Sequence, residues 1–382
     1  MAKLGEIAII QSGGTPARSI AKYWNGGMIP WVKISDIKSK YTNETEEKIT
    51  EIGLENSSAK IFHKGTILYT IFATLGETTI LNIDAATNQA IAGISLKNDN
   101  ILLEYLYYYL IAQKEYVQRI GRGVAQNNIN MKILRDFDVP VPPRNEQFRI
   151  IDKLNRVDNL IHLRSQQIAK LDELVKARFV EMFGTFPANP FRWSIGKIQD
   201  VVSDVRYGSS RPAVEGGKYP YLRMNNITYS GELDLRDTKR IDIPDSELDK
   251  CTVRRGDVLF NRTNSKELVG KTCVYNRDEL MVLAGFVIRV RVNERIRPEI
   301  LSAFLNMDFS KRMLIGMCKT AIGQANINAK ELQNIDLYIP PIELQDQFVT
   351  LKNKIDQQKQ TVQQSLEKLE LLKKALMQEY FG

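Results

Sequence analysis

One phrase of eighteen residues occurs twice in this chain, and the repeat constrains the fold more than any other feature. QNNINMKILRDFDVPVPP starts at Gln126 and QANINAKELQNIDLYIPP starts at Gln324. The offset, from residue 126 to residue 324, is 198 residues, and it continues without a gap to the end of the chain, where the last two residues, Phe381-Gly382, match Phe183-Gly184. Two copies of so long a unit are too few for a solenoid, and they predict two similar halves with pseudo-twofold symmetry and a near-circular layout.

The regions before the two phrases also correspond, but more loosely. GGMIPWVKISDI, which starts at Gly26, resembles GGKYPYLRMNNI, which starts at Gly216. Both regions contain short apolar runs broken by Gly, Asn and Asp, and the alternation in VIRVRV (Val287 to Val292) predicts a strand. ILLEYLYYYLIAQ and PEILSAFLNMDFSKRML predict helices. We therefore expect an α+β fold for each globular half.

A long polar-rich helix is predicted after each Pro-Pro pair, because the prolines end the preceding strand. Apolar residues at a 3-4 spacing then form a heptad stripe. Arg164 and Arg178 interrupt the first stripe. Three lysines occupy positions in the second stripe, so we expect its buried seam to shift, or lean, toward Leu351 and Leu372. The stripe residues are Ile150, Leu154, Val157, Ile161, Ile168, Leu171, Val175 and Met182, then Phe348, Ile355, Val362, Leu366, Leu369, Leu376 and Tyr380, and the three lysines are Lys352, Lys359 and Lys373.

A stripe this narrow can bury itself against one partner helix, and within one chain the obvious partner is the other copy. Related by a twofold axis, the two helices would pair as an antiparallel coiled coil. The alternative is that either helix dimerises with a second molecule. The predicted order is a globular half at residues 1–143, a long helix at 144–184, a second globular half at 185–341 and a second long helix at 342–382.

Composition narrows the class of protein. No run of eighteen or more apolar residues occurs and the start does not resemble a signal peptide, so no membrane association is predicted. Cys251, Cys273 and Cys318 are far apart, which suits a reducing cytoplasm, and His63 and His162 are too few and too distant for a zinc site. The formal net charge of +8 fits a polyanionic partner such as nucleic acid, or simply a basic protein.

Motifs for catalysis or cofactor binding are incomplete. NPF at Asn189 has only one proline, whereas an adenine methyltransferase needs an Asp/Asn-Pro-Pro-aromatic motif. GKT at Gly270 lacks the glycine that a phosphate-binding loop requires five residues earlier, where Ser265 stands. We therefore predict a non-catalytic chain with no cofactor.

The duplicated phrase, followed by a long amphipathic helix that closes in Phe-Gly, resembles the specificity subunit of type I restriction-modification systems over essentially the full chain. The resemblance implies two target recognition domains, each reading one half of a bipartite, asymmetric site in double-stranded DNA, with the helices fixing the gap. It also implies binding of two methyltransferase (modification) subunits and recruitment of restriction subunits. Two rival hypotheses stay open, which are a coiled-coil scaffold that does not touch DNA and an enzyme with unrecognised motifs.

Loops that carry Arg, Lys, Asn, Gln or Ser beside glycine are the candidates for DNA contact, because Arg reads guanine and Asn or Gln reads adenine. Ordinary polar turns are the alternative interpretation. IFATLGE, from Ile71, is aligned with FNRTNSK, from Phe260, and carries no cation, so the halves should read different bases. The candidates are Gln11, Ser12, Thr15, Arg18, Lys33 and Ser35 in the first half, and Arg206, Tyr207, Ser209, Ser210, Arg211, Arg223, Asn225, Asn226, Arg262, Asn264 and Lys266 in the second.

The amides of the repeated phrase, Gln126 to Asn130, need a separate interpretation. They could contact phosphates, or they could cap backbone groups where a globular half meets its helix. Both copies share the phrase while the loops diverge, which favours the structural role.

Overall fold

The computed structural model describes residues 1–121, 128–265, 268–321 and 324–382, and it divides into two compact units. The first unit is Met1–Arg164 with Ser365–Gly382, and the second is Ser165–Gln364. Each unit therefore contains one globular half together with part of both long helices. The long helices are Arg144–Phe183 and Ile342–Phe381.

The first unit is built on a five-stranded sheet, mostly antiparallel, with the strand order Ala8–Ser12, Ile91–Leu96, Ile67–Thr70, Thr78–Leu81, Tyr41–Thr42. A three-stranded sheet orders Glu47–Ile49, Ile29–Val32 and Ala86–Thr87, and Ala2–Lys3 pairs with Asp138–Val139. The α-helices before the first long helix are Leu4–Ile7, Glu51–Glu55, Leu103–Ala112, Lys114–Gly121 and Met131–Arg135, with short 3₁₀ turns at Ala21–Tyr23 and Ile34–Asp36.

The second unit repeats this plan with a four-stranded antiparallel sheet in the order Val202–Tyr207, Val287–Val292, Val258–Asn261, Thr272–Val274. A second sheet orders Lys239–Ile241, Tyr219–Leu222, Met281–Leu283 and Thr252–Val253, and a third orders Thr263–Asn264, Gln324–Asn326 and Lys319–Ala321. Ser194–Lys197 pairs with Asp336–Ile339. The α-helices are Asp245–Cys251, Pro298–Asn306, Asp308–Met317 and Ala329–Gln333, with 3₁₀ turns at Ile198–Val201 and Met224–Asn226. The predicted α+β class of both halves is confirmed.

The long helices run antiparallel within the first unit. Ile150 and Leu154 share one hydrophobic core with Met377 and Phe381, so the start of the first helix lies beside the end of the second. Further along, the Lys373 ammonium lies 2.6 Å from the Asp158 carboxylate. Residue numbers therefore rise along one helix as they fall along the other.

The second unit shows the same antiparallel pairing with an aromatic cluster in place of the aliphatic one. The ring of Phe348 lies 5.4 Å from that of Phe179 and 5.5 Å from that of Phe183, centroid to centroid. Lys359 donates to Asp172 across the seam at 2.5 Å. The predicted pairing of the two helices with each other is thus present in both units.

The structure corrects two details of the seam. Arg178 is exposed and Phe179 is buried, so the first seam moves by one residue at its end because the aromatic side chain is the one that fits against Phe348. The expected lean toward Leu372 is wrong, since that residue is 46% exposed. Lys359 stays in the seam with a side chain only 11% exposed, because Asp172 neutralises it.

The other stripe residues lie in or beside the seam. Ile150, Leu154, Val157, Phe348, Ile355 and Val362 are buried, while Ile161, Arg164, Ile168, Leu171, Val175, Met182, Leu351, Lys352, Leu366, Leu369, Lys373, Leu376 and Tyr380 are half-buried.

A fully buried glutamine fastens each long helix to its globular half. Gln147 Oε1 accepts a hydrogen bond from the backbone N–H of Leu102 at 2.8 Å, and Gln345 Oε1 accepts one from Arg297 at 2.8 Å. Leu102 and Arg297 are the N-cap residues of corresponding helices, so each glutamine satisfies a helix-end donor that would otherwise lack a partner. The Nε2 atoms donate to equivalent carbonyls, those of Pro142 and Pro340, at 2.9 Å.

The asparagine of the repeated phrase caps a short helix in both copies. Asn130 Oδ1 accepts from the N–H groups of Lys132 and Ile133 at 3.0 and 2.9 Å, and Asn328 Oδ1 makes the two corresponding bonds at 2.9 Å. The preferred structural role is confirmed for these two asparagines. Gln126 lies outside the described residues. None of the described helices combines the length and the apolar character that crossing a membrane requires.

Candidate nucleic-acid interface

In the second unit, several candidate loops meet at one edge, around residues 283–287. Ser209 donates its backbone N–H to Leu283 O at 2.7 Å, and Arg262 donates its own to Phe286 O at 3.0 Å. The N–H of Ala284 bonds to Leu222 O at 2.8 Å, which brings in the turn that carries Arg223. Loops that are far apart in sequence therefore form one continuous edge.

The first unit builds the same edge with equivalent backbone bonds. Gly14 donates to Thr87 O and Ile71 donates to Ala90 O, both at 2.8 Å. The turn that starts at Lys33 follows the strand Ile29–Val32, as the Arg223 turn follows Tyr219–Leu222. The structure thus brings the candidates of each half together on its own unit.

These bonds also correct the alignment of the two halves at one loop. Ile71 and Arg262 occupy the same position, because each accepts a backbone bond from the isoleucine of the repeated phrase, Ile129 or Ile327, at 3.1 and 2.9 Å. IFATLGE was aligned with FNRTNSK from its first residue, and this register is wrong by two residues. The loop lengths differ between the halves, so the letters alone could not fix the register.

Two cations of the first edge are held by acidic side chains. Lys33 Nζ lies 2.7 Å from Glu46 and 2.8 Å from Glu47, and these hydrogen bonds raise the pKa of Lys33. Arg18 also pairs with Glu47, and its guanidinium stacks 3.7 Å from the centroid of the Trp24 ring. Burial raises the pKa of Glu47, but the bonds from Lys33 and Arg18 outweigh it and the net pKa is lowered. The side chains of Lys33 and Arg18 are therefore held in place by carboxylates before any ligand binds.

The remaining first-half candidates are uncharged. Gln11, Ser12 and Ser35 are exposed, and the Thr15 hydroxyl donates to the side-chain oxygen of Gln89.

Three arginines of the second edge are likewise fixed by carboxylates. Arg206 Nε bonds to Asp204 at 2.8 Å, Arg211 Nη2 to Glu247 at 2.7 Å, and Arg223 Nη2 to Asp237 at 2.9 Å. The hydrogen bond from Arg211 lowers the pKa of Glu247. These arginines are oriented side chains, and each could exchange its carboxylate for a phosphate.

Arg262 has a different environment. Its guanidinium lies over the ring of Tyr207, 4.7 Å from the centroid, and no carboxylate among the described residues pairs with it. The Tyr207 hydroxyl accepts a hydrogen bond from the backbone N–H of Ala329 at 2.8 Å. The Tyr207 ring is therefore anchored through its hydroxyl, and the Arg262 guanidinium lies over this ring.

Two predicted contacts are not supported by the positions of the residues. Ser209 is buried, and its Oγ accepts from the N–H of Arg211 at 3.2 Å. Asn226 is buried, and its side chain closes its own turn by accepting from Arg223 N at 2.9 Å and donating to Asp234 O at 2.8 Å. Both shape the loops from inside and are not available for direct contact.

The other second-half candidates are Ser210 and Asn225, which are exposed, Asn264, whose backbone pairs with Ala325, and Lys266, which lies outside the described residues.

Sequence reasoning missed residues that fasten the loops to the long helices. In the first unit Lys40 Nζ donates to Glu104 and to Asn155 of the long helix, both at 2.6 Å. In the second, Glu232 reaches Lys359 at 2.7 Å. Lys40 and Glu232 follow the Lys33 and Arg223 turns respectively, and an alignment of the halves through those turns would have pointed to both.

Phe286 was also missed, and it is 57% exposed at the edge beside Arg262. Among the described residues, no group of three or more His, Cys, Asp or Glu side chains could hold a metal ion.

The fold is that of a duplicated protein, in which each of two similar α+β units contains one globular half, its own polar loops and part of both long helices. The chain belongs to the family described as Type I restriction modification DNA specificity domain, whose sequence model matches residues 1–173 and 192–371. The two matched segments correspond to the two copies of the repeat.

Individual relatives agree with this membership. The chain is 28% identical over 272 residues to the type I restriction enzyme MjaIX specificity subunit of Methanocaldococcus jannaschii, covering 62% of each chain. It is 25% identical over 250 residues to the EcoKI specificity subunit of Escherichia coli K12, covering 61% of this chain and 53% of that one. The matches thus span less than two thirds of either relative.

Solved structures agree at the level of the fold. The type I restriction-modification S subunit from M. genitalium matches with a TM-score of 0.53 at 15% identity, covering 100% of this chain and 95% of that one. A chain from a structural study of the assembly and conformational transition of the type I system matches with a TM-score of 0.58 at 21% identity, covering 100% and 96%.

Proposed function

We propose that this chain is the DNA-reading subunit of a type I restriction-modification complex. Each globular half reads one half of a bipartite, asymmetric site in double-stranded DNA. The chain carries out no catalytic step in this proposal. Its partners are two methyltransferase subunits and restriction subunits, in keeping with the names of its relatives.

The observation that carries the proposal is the pair of equivalent edges with different side chains. The positions of Arg206, Tyr207 and Arg262 in the second unit are held by Gln11, Ser12 and Ile71 in the first. Arginine pairs with guanine and glutamine with adenine in the major groove, so the same backbone would read different bases. A protein that read a symmetric site would have no use for this divergence.

The long helices would set the gap between the half-sites. Each has 40 residues, which corresponds to about 60 Å of helix. Sites on one face of B-DNA recur every 34–36 Å or so. A pair of helices is stiff enough on this scale to fix a spacing, whereas a flexible linker would tolerate many.

Heptad insertion tests the proposal. Seven residues are added to both helices where they pass between the units, after Arg164 and after Gln364. The insertion keeps the seam in phase and adds about 10 Å. The full chain, assembled with its methyltransferase subunits, should then prefer a site whose gap is about three base pairs longer, since the duplex rises about 3.4 Å per base pair.

The matched control is the same insertion in the first helix alone, which puts the two helices out of register and should abolish tight binding at every gap. Footprinting of the unaltered complex should give two separated protected patches. Uniform binding to any duplex, without protected patches, would contradict the proposal and favour a scaffold that does not read DNA.

A further inference from the structure

The second edge holds one arginine whose donors are not taken up by an acid. Arg206, Arg211 and Arg223 each bond to a carboxylate, while Arg262 forms none of the ion pairs among the described residues. Its Nε atom is buried and has no hydrogen-bond partner there, and the same is true of Arg223. A ligand cannot reach a buried atom, so the terminal Nη groups of Arg262 are the donors available to one.

The contact with Tyr207 positions the guanidinium of Arg262. Its carbon lies 4.7 Å from the centroid of the Tyr207 ring, a cation–π distance, and its N–H donors lie in the guanidinium plane. The Tyr207 hydroxyl accepts a hydrogen bond from the N–H of Ala329, which holds the ring in place at this edge. Ala329 is the first residue of the helix that Asn328 caps, so the repeated phrase anchors the platform.

The donor fork of an arginine suits a planar pair of acceptors. Guanine presents O6 and N7 side by side in the major groove, and a bidentate arginine contact is the commonest specific pairing there. A phosphate can accept the same fork, so the position of Arg262 has to distinguish the two. The position favours a base edge, since Arg262 lies directly after a sheet strand, Val258–Asn261, beside the exposed Phe286.

The first half has other residues at the positions of both Arg262 and Tyr207. Ile71 stands at the position of Arg262, and Ser12 stands at the position of Tyr207, opposite Ala92 as Tyr207 is opposite Ile288. Neither residue can donate a fork or provide a ring. The contact should therefore be confined to one half-site.

From these observations we propose that Arg262, stacked on Tyr207, reads a guanine in the half-site bound by the second globular half. The inference rests on the proposed function and adds the base and the residue. Tyr207 is a positioning residue in it, because it acts through the arginine.

The test uses the full chain assembled with its methyltransferase subunits and a target duplex defined by sequencing the methylated bases of the host. Affinity is measured for that duplex and for every single base-pair change in it. Arg262→Gln should lose roughly 10- to 100-fold of discrimination at one G·C pair and leave the other positions unchanged. Arg262→Lys should lose it too, because lysine lacks the fork.

Arg255→Gln is the matched control. Arg255 is exposed, is paired with Asp278, and lies just before the same strand that Arg262 follows. The substitution removes the same charge at the opposite end of the strand, and it should leave base preference unchanged.

A chemical variant of the DNA gives an independent readout. Replacing the guanine by 7-deazaguanine removes the N7 acceptor, which should weaken the unaltered protein roughly tenfold and have no effect on Arg262→Gln. If both proteins respond equally, the contact belongs to another residue and the proposal is overturned.

The remaining outcomes separate the inference from the proposed function. Equal weakening on all duplexes, with a shallower salt dependence, would show a phosphate contact and overturn the guanine assignment. A normal bipartite site with unchanged base preference in Arg262→Lys would overturn it as well, and thermal unfolding shows whether each variant folds. A methylated sequence without two half-sites would instead contradict the proposed function itself.

Discussion

Two corresponding positions near the edges carry an ion pair in the first unit and two cations in the second. In the first unit Lys114 lies 2.6 Å from Glu77 in a half-buried ion pair. In the second unit the corresponding residues are Lys311 and Lys271, two buried cations that bond only to backbone carbonyls among the described residues. By contrast, the contacts that join each long helix to its globular half, called joints below, are nearly identical. In them Gln147 and Gln345 make equivalent bonds.

The difference shows what each part of the molecule has to preserve. A joint must hold a helix at a fixed angle, and both copies do so with the same donors and acceptors. Under the proposed function, the loops and their supports can change with the bases that they read. Divergence between the two copies would then separate positioning residues from reading residues.

The largest expected effect tests whether the aromatic cluster around Phe348 and the aliphatic cluster around Ile150 contribute equally to stability. Phe348 is fully buried between Phe179 and Phe183, so Phe348→Ala should lower the free energy of unfolding by about 4 kcal/mol. Ile150 is its counterpart, and Ile150→Ala should cost about 3 kcal/mol. Urea unfolding followed by tryptophan fluorescence measures both losses, since Trp24 and Trp31 lie in the first unit and Trp193, which donates to Phe183 O at 3.2 Å, lies in the second.

The control for that comparison is Phe148→Ala, because Phe148 is 54% exposed on the first long helix and its loss should change stability little. A Phe348→Ala variant as stable as Phe148→Ala would show that the aromatic cluster does not hold the second helix pair.

The next effect tests whether the joints are energetically as well as structurally equivalent. Gln147→Ala and Gln345→Ala should each lower the free energy of unfolding by about 3 kcal/mol, because each leaves a buried backbone N–H and buried carbonyls without a partner. Gln357→Ala, an exposed position on the second long helix, serves as control. A difference between the two joints larger than about 1 kcal/mol would contradict their equivalence.

A smaller effect concerns the lysines in the seam, where the units differ in degree. Lys359 contacts both Asp172 and Glu232, whereas Lys373 contacts Asp158 and is more exposed. Lys359→Met should cost about 2 kcal/mol because it leaves two carboxylates without a cation, and Lys373→Met about half as much. Chemical denaturation compares both with Lys354→Met, which alters an exposed lysine of the same helix. Equal losses of stability would mean that the Glu232–Lys359 ion pair does not stabilise the contact between this loop and the helix.

Much of this architecture was readable from the sequence. The gapless register fixed the duplication and the two long helices, and apolar spacing identified Leu154 and Phe348 as seam residues. Spacing alone could not place Lys359, because whether a lysine can stay in a seam depends on an acid supplied by the other helix, here Asp172. The expected lean toward Leu372 failed for this reason.

The edge was predictable as a set of loops but not residue by residue. Asn226 and Arg223 are both polar residues of one loop, yet Asn226 closes the turn from inside while Arg223 extends to the exposed carboxylate of Asp237. The stack of Arg262 on Tyr207 joins two segments more than fifty residues apart, and pairing of strands brings them together. No local pattern contains that information.

The smallest predicted effect returns to the pair of buried lysines. Burial lowers the pKa of Lys311 to about 7, and the neighbouring cations Lys176 and Lys271 act in the same direction. In the unfolded chain its pKa is near the ordinary value of 10.5. Between these values the unfolded state binds more protons than the folded state, so this residue makes stability rise with pH.

The rise should be about 1 kcal/mol between pH 7 and pH 8, and Lys311→Met should remove it because the group no longer titrates. Lys114→Met serves as the matched control in the first unit, where Glu77 supplies the opposite charge. Urea unfolding at the two pH values, with Trp193 as the probe, measures the difference. An unchanged slope in Lys311→Met would show that the buried ammonium keeps its proton, with the carbonyl of Gly270, 2.6 Å away, compensating for its burial.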